Sequence, residues 1–193
     1  MPYTHEHKQQ SRERILKSAV RLFTRRGFDN TSIDDVMADA ELTRGAFYAH
    51  FKSKQDLYTQ AITGAQLFSI FNQPKPDELG QQAWLLKLIN AYLSNAHVKK
   101  ADIPCPLAFL ITDVAINEQA PRQAYTDVYL KMNRLMRTAT KNNRRLDTET
   151  VMAITTLMIG GVAIARTLTD DKAQAALLRG CRRVITELMG LEA

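Results

Sequence analysis

Thr43, Arg44, Gly45, Ala46, Tyr48 and His50 fall within the nine-residue stretch TRGAFYAHF. No nucleophile has an evident base here, and no metal-ligand spacing is present. The chemistry on offer is contact chemistry. The Thr43 and Tyr48 hydroxyls suit phosphate oxygens. The Arg44 guanidinium can hold a guanine edge by two hydrogen bonds. His50 can reach a phosphate or a base. Gly45 and Ala46 keep the surface low, so a nucleic-acid backbone or a base edge can approach closely. Phe47 and Phe51 are four apart, share the opposite face of a helix and should pack on a core. The bland alternative is a helix-turn-helix packing unit that never meets DNA, but such a unit does not usually leave a Gly-Ala surface and a tyrosine tip at solvent.

The surrounding chain supplies what would position these residues. Ser32–Phe51 reads as two short helices with a tight turn between them. Thr31 or Ser32 caps the first, with Asp34 and Asp35 three residues on, a truncated capping box. Ile33, Val36, Met37 and Ala40 form its apolar stripe, and Thr43 caps the second helix. Upstream, Ser11–Arg26 is amphipathic, with Ile15, Leu16, Ala19, Val20, Leu22 and Phe23 on one side. Arg14, Lys17, Arg21 and Arg25 form a basic stripe that reads either as a solvated face or as a surface near phosphate. Gly27 stands where this helix should stop. Downstream, Ser53 caps a fourth helix with Asp56 at its third position. Lys54 in its first turn makes that helix start a phosphate site. The helix is expected to run through Leu57, Tyr58 and Ile62 to Leu67 and Phe71.

Ile15 to Tyr58 resembles the DNA-binding domain of the TetR/AcrR family of transcriptional regulators. The resemblance is carried by Gly27-Phe28 after the first helix, Thr31-Ser32 at the start of the second, and Phe47-Tyr48-x-x-Phe51-x-x-Lys54 across the third and fourth. It implies an all-helical homodimer that binds palindromic operators and usually represses. Matched by position, it implies DNA contacts at Ser32, Thr43, Arg44, Gly45, Ala46, Tyr48, His50 and Lys54. Glu41 departs from the pattern, because the turn before the recognition helix usually has glycine. If that position takes a positive φ, the departure costs on the order of 1 kcal/mol.

The chain has 193 residues and a net charge of +6, compatible with nucleic acid without proving it. The charge is unevenly spread. Residues 1–30 carry seven Lys/Arg against three Asp/Glu, residues 31–60 carry three against five, and Arg122 to Arg145 carries seven against one. The last cluster reads as solvent-facing, with some attraction for DNA or a partner as the alternative. No apolar run approaches the ~20 residues that span a bilayer. The opening MPYTHEHKQQ has no apolar signal-peptide core. The expectation is a cytoplasmic protein with no membrane partner. Cys105 and Cys181 are too few for a disulfide framework. His5-Glu6-His7 reads as a solvated terminus, and no metal or cofactor is expected.

Asn72–Asp77 is a breaker cluster and sets the expected boundary between a DNA-binding domain (1–72, with its helix-turn-helix at about 32–51) and a ligand-sensing and dimerisation domain (73–193). The expected fold is all-α, with about nine helices in total. Asp77 can cap a helix carrying Trp84, Leu85, Leu88, Ile89, Tyr92 and Leu93. Pro104-Cys105-Pro106 opens a helix running to about Asn117, and Pro121 opens the next. Trp84, Tyr92, Cys105, Phe109, Tyr125, Tyr129 and Met132 are candidate ligand-wall residues, with ordinary core as the alternative. Asp113 and Arg166 are polar residues in apolar helices, readable as ligand contacts, an internal ion pair or surface. Cys105, at a helix start, reads as a sensing thiol or as a small buried hydrophobe. Asp147–Thr169 is apolar nearly all round and must be buried on several sides. With the last helix it supplies a candidate dimer interface at Leu157, Gly160, Gly161, Ile164, Leu177, Gly180, Cys181 and Val184.

The function expected from these readings is a DNA-binding regulator, a repressor released from a palindromic duplex operator by a small molecule or an electrophile. A helical ligand-binding or interaction module without DNA binding is the alternative. An enzyme is not expected, because there is no phosphate-cradling glycine loop and little histidine to build catalysis from.

Overall fold

A computed structural model describes residues 5–65, 76–99, 104–137 and 146–191. Among these there are eleven helices and no strand. The chain forms two compact units. One holds residues 1–68 and 101–128, the other 69–100 and 129–193.

In the first unit, α1 (His5–Arg26) is the scaffold. It starts six residues earlier than its periodicity predicts, so Glu6 and His7 lie on helix rather than in an irregular tail. Ile15, Leu16, Ala19, Val20 and Phe23 are buried along it. Against it pack α2 (Ile33–Asp39), α4 (Lys54–Gly64) and α7 (Pro106–Phe109), and α3 (Arg44–Phe47) packs on α2. Gly27 closes α1 with φ 78°, its N–H donating to the Phe23 carbonyl at 2.8 Å. The predicted caps of α2 and α4 form. Ser32 Oγ accepts from Asp35 N at 3.0 Å while Asp35 Oδ2 accepts from Ser32 N, a complete capping box. Ser53 Oγ accepts from Asp56 N at 3.0 Å.

The turn between α2 and α3 puts Glu41 at φ 53°. The Leu42 N–H donates to the Met37 carbonyl at 2.9 Å and the Glu41 N–H to the Ala38 carbonyl at 3.0 Å. This pair of bonds ends many helices and normally places glycine in the left-handed position. The same pair ends the last helix, Asp171–Met189, where Gly190 takes φ 62°. Glu41 therefore carries the strain foreseen for it.

The predicted helix from Pro104 to Asn117 is two short ones, α7 and α8 (Ile111–Ala115), broken at Leu110, whose φ of −110° and ψ of 7° leave the helical region. This break and the short α6 below explain eleven helices where about nine were expected. Residues 101–128 join the first unit by contacts, although they lie beyond the breaker cluster in sequence. Asn72–Pro74, Leu67 and Phe71 lie outside the described residues. The chain passes between the units within α9 (Gln119–Arg137).

In the second unit, α5 (Gln81–Tyr92), α6 (Asn95–Val98), α10 (Thr148–Thr167) and α11 (Asp171–Met189) share one core. Gly80 caps α5, so the expected Asp77 cap does not form. Asp147 and Asp170 cap α10 and α11 through side-chain bonds. Gly161 lets α10 meet its neighbours closely, since a Cβ there would lie 3.0 Å from Cys181 Sγ and 3.2 Å from Leu93 Cδ2. Inside this core, Thr155 Oγ1 donates to Asn133 Oδ1 at 2.7 Å, and Arg182 donates to the Leu93 carbonyl. By length and composition α10 is apolar enough to cross a membrane, which corrects the expectation that no run approaches that limit. In the structure it packs on α11, α5 and α6 and buries the polar Thr155.

The two left-handed sites of the first unit predict opposite responses. Glu41→Gly should raise unfolding free energy by about 1 kcal/mol. Gly27→Ala should lower it by about 1–2 kcal/mol or more, because it adds a Cβ 2.9 Å from Asp113 Oδ1 to an unfavourable φ. Urea denaturation of the three proteins measures both, and equal midpoints would show that neither φ is strained.

Candidate nucleic-acid interface

A helix of four residues has no stability of its own, so packing must place α3. Phe47 is fully buried, Phe51 nearly so, and their ring centroids are 5.7 Å apart. The chain between them keeps turning, with the His50 and Phe51 N–H groups both donating to the Phe47 carbonyl. Arg12 from α1 lies over the Phe51 ring at 5.7 Å and donates to Gln60 Oε1 at 2.5 Å. Gln60 donates to Asp56, and Asp56 accepts from Lys52 N. This chain of bonds holds the turn that follows α3.

With Phe47 and Phe51 inward, Thr43, Arg44, Gly45 and Tyr48 are exposed, and Ala46 and His50 are partly so. Tyr48 is 61% exposed, its ring edge-on to Phe47 at 5.1 Å. Thr43 precedes α3 in extended conformation, but its hydroxyl makes no capping bond. Arg44 Nη1 pairs with Asp34 Oδ2 at 2.5 Å, both side chains 60% exposed. Such a pair is worth only about 0–1 kcal/mol, so Arg44 can exchange it for another acceptor. Ser32 is exposed at the start of α2, with its hydroxyl engaged with Asp35. That hydroxyl and the Ser32 backbone N–H, helped by Arg26, hold the Asp35 carboxyl below its ordinary pKa of 3.8.

Gly45 explains itself only from outside. A Cβ added there would meet nothing nearer than Thr43 Oγ1 at 4.0 Å. No atom of the described protein needs the space, and glycine weakens a helix.

Lys54 lies in the first turn of α4, its Nζ 4.2 Å from the Phe28 ring centroid and 3.5 Å from the Asp29 carbonyl. His50 is pushed below its ordinary pKa of 6.5, first by burial and then by the charges of Lys8 and Arg12. Its imidazole is therefore neutral at pH 7. The stability tied to that neutral form is present above pH 6.5 and is lost as pH falls below it. On α1, Arg14 pairs with Glu41 at 3.1 Å and Arg21 with Asp39. Part of the basic stripe thus faces the acids of α2 and its turn.

The ligand-wall candidates divide between the units. Cys105, Phe109 and Tyr125 lie in the first, with Cys105 capping the four-residue α7 and Tyr125 donating to the Leu107 carbonyl at 2.7 Å. Trp84, Tyr92, Tyr129 and Met132 lie in the second, where the Tyr129 hydroxyl lies 3.3 Å from Thr155 Oγ1. Of the dimer candidates, Gly161 and Cys181 are buried against each other within the chain. Burial holds the Cys181 thiol above its ordinary pKa. Leu157, Gly160, Leu177, Gly180 and Val184 are partly exposed, and Ile164 is exposed. Arg166 is at the surface. Asp113, expected as a ligand contact, half of an internal ion pair or a surface residue, is an internal hydrogen-bond acceptor. Its oxygens accept from Phe28 N at 3.1 Å and from the Tyr58 hydroxyl. Only a long-range contact identifies these partners, so no local signal marks them.

Residues 15–61 match the family model described as "Bacterial regulatory proteins, tetR family". The likeness to this family is carried by these 47 of the chain's 193 residues. The HTH-type transcriptional regulator AcrR of Shigella flexneri is 42% identical over 57 residues, 30% of this chain and 26% of that protein. The uncharacterized HTH-type regulator YerO of Bacillus subtilis is 42% identical over 52 residues, 27% of this chain and 18% of that protein. The matched stretch thus spans about a quarter or less of these relatives' length. Over nearly the whole chain the fold is like that of the reduced form of E. coli NemR, with a TM-score of 0.75, 16% identity, and coverage of 95% of this chain and 98% of that one.

Gly45→Ala separates the fold from the candidate interface. Folding should be unchanged or more stable by about 0.4–1 kcal/mol, while affinity for duplex DNA falls. Thermal unfolding and fluorescence anisotropy on one preparation measure both, and unchanged affinity would remove Gly45 from the interface.

Proposed function

We propose that this protein is a DNA-binding transcriptional regulator, a repressor whose α3 enters the major groove of an operator. The observation that carries the reading is the two-sided character of α3. Phe47 and Phe51 are buried, while Arg44, Gly45 and Tyr48 stand at the surface with a glycine that no contact among the described residues requires. The family match over residues 15–61 supports it. Thr43, Tyr48 and Lys54 take phosphates, Arg44 reads a base edge, Gly45 and Ala46 admit the close approach, and Ser32 and His50 flank it. Residues 1–72 serve DNA binding and 73–193 ligand sensing and dimerisation.

The regulator acts as a homodimer on a palindromic site, with its recognition helices about 34–36 Å apart in successive major grooves. The proposed second-copy surface is the outer face of α10 and α11. Among the described residues, Gly160 and Gly180 have no heavy atom within 4 Å of an added Cβ, and Ile164 and Leu188 are exposed beside them. Small residues flanked by exposed apolar ones suit close helix approach across a two-fold axis. An inducer that prefers a differently spaced state lowers operator affinity by its differential binding. It is a small molecule or an electrophile, the latter reacting at Cys105. The reading is a cytoplasmic regulator and not an enzyme.

Arg44→Ala should shrink the gap between a preferred and a scrambled duplex by about 1–3 kcal/mol. Discrimination equal to wild type would contradict base reading by Arg44. Cys105→Ser should hold DNA in the presence of an aldehyde or quinone that releases the wild type. Release of both alike would exclude a sensing thiol at that position.

A further inference from the structure

We propose that Asp113 is a positioning residue for the DNA-facing side of the first unit, acting through Phe28 and Tyr58 on Lys54; the proposal rests on the DNA-binding reading above. One oxygen of its carboxylate accepts the Phe28 N–H at 3.1 Å and the other accepts the Tyr58 hydroxyl. The carboxylate thus ties the end of α1 to α4, while its own backbone belongs to α8. The approach is close enough to require glycine at position 27, where a Cβ would lie 2.9 Å from Asp113 Oδ1.

The two residues it holds are in turn the platform for Lys54. Phe28 and Tyr58 meet with ring centroids 5.0 Å apart, and Phe23 closes the cluster at 4.9 Å from Tyr58 and 6.1 Å from Phe28. The Lys54 ammonium lies over the exposed side of Phe28, 4.2 Å from its centroid, and donates to the Asp29 carbonyl at 3.5 Å. A cation held by a ring face and a carbonyl goes where the Phe28–Asp29 backbone goes. That backbone is fixed by the Asp113 bond. Two residues beyond the end of α8 comes the second grip, where Asn117 Oδ1 accepts from Gln55 Nε2 at 2.8 Å, on the residue next to Lys54.

Packing alone would not call for a carboxylate here. A partly buried charge is costly unless its bonds are made, and these two bonds are directional. A small displacement of α8 breaks both together and leaves the Phe28 N–H and the Tyr58 hydroxyl without their acceptor. The segment 104–117 therefore sets the DNA affinity of α4's first turn without itself presenting a DNA contact.

The test is the salt dependence of duplex binding by the full chain in four versions: wild type, Lys54→Gln, Asp113→Asn and the double variant. A phosphate-bound lysine contributes about 1 to the slope of log affinity against log salt. Lys54→Gln should remove about that much from the wild type and less than half of it from Asp113→Asn. Tyr58→Phe, which keeps the ring and deletes one donor, should reduce the Lys54 contribution in the same direction and carries the comparison if Asp113→Asn fails to fold. A purely structural Asp113 would lower the melting temperature yet leave Lys54 worth its full slope in every background, which overturns the proposal. If the wild type binds no duplex, the DNA-binding reading falls and this inference with it. Additive slopes with intact wild-type binding overturn the positioning role alone.

Discussion

The burial of Phe47 and Phe51 decides which way α3 faces. The helix has four residues and no side-chain cap, so neither propensity nor capping can hold it. Two rings one helical turn apart, inserted into a core with Val36 and Met37 of α2 and the apolar stripe of α1, do so. Once they are inside, Arg44, Gly45 and Tyr48 have no choice but solvent. The exposed face of α3 is in this sense the by-product of a core. It is held at its far end by Arg12, stacked on Phe51 and bonded through Gln60 and Asp56 to the turn at Lys52.

Electrostatics around this face are arranged with some economy. α2 and its turn carry Asp34, Asp35, Asp39 and Glu41, a poor neighbour for phosphate. Each has a basic partner: Arg44, Arg26, Arg21 and Arg14 respectively. Exposed pairs of this kind add little to stability, but they offset an acidic patch beside the exposed face of α3. The same pairs restrain the guanidinium groups, Arg44 among them, until a better acceptor arrives. His50, held neutral by burial and by Lys8 and Arg12, brings no added positive charge at pH 7.

Much of this was legible in sequence, because the deciding signals were local. Gly27 at a helix end, Ser32 and Asp35 three apart, Ser53 and Asp56, and the Phe47–Phe51 spacing each specify geometry within a few residues, and each took that geometry. Glu41 was legible as a departure, and its φ of 53° is the strain that departure implied. What escaped depended on distant partners. Nothing near Asp113 in sequence says that it meets Phe28 and Tyr58, 85 and 55 positions away. The break at Leu110 and the α5 cap at Gly80 rather than Asp77 were not legible either. Gly160 and Gly161 look alike in sequence and differ completely in space, one with nothing within 4 Å and the other against Cys181 and Leu93.

The claim at the centre of this account is that α3 reads duplex DNA as one of a symmetric pair. Selection of bound duplexes from a random pool by the purified protein, followed by sequencing, tests it most directly. The account predicts an enriched site with two-fold symmetry and half-sites centred about one helical turn, or a small multiple of it, apart. Enrichment of no sequence at low salt, where even weak phosphate contacts retain DNA, would contradict it.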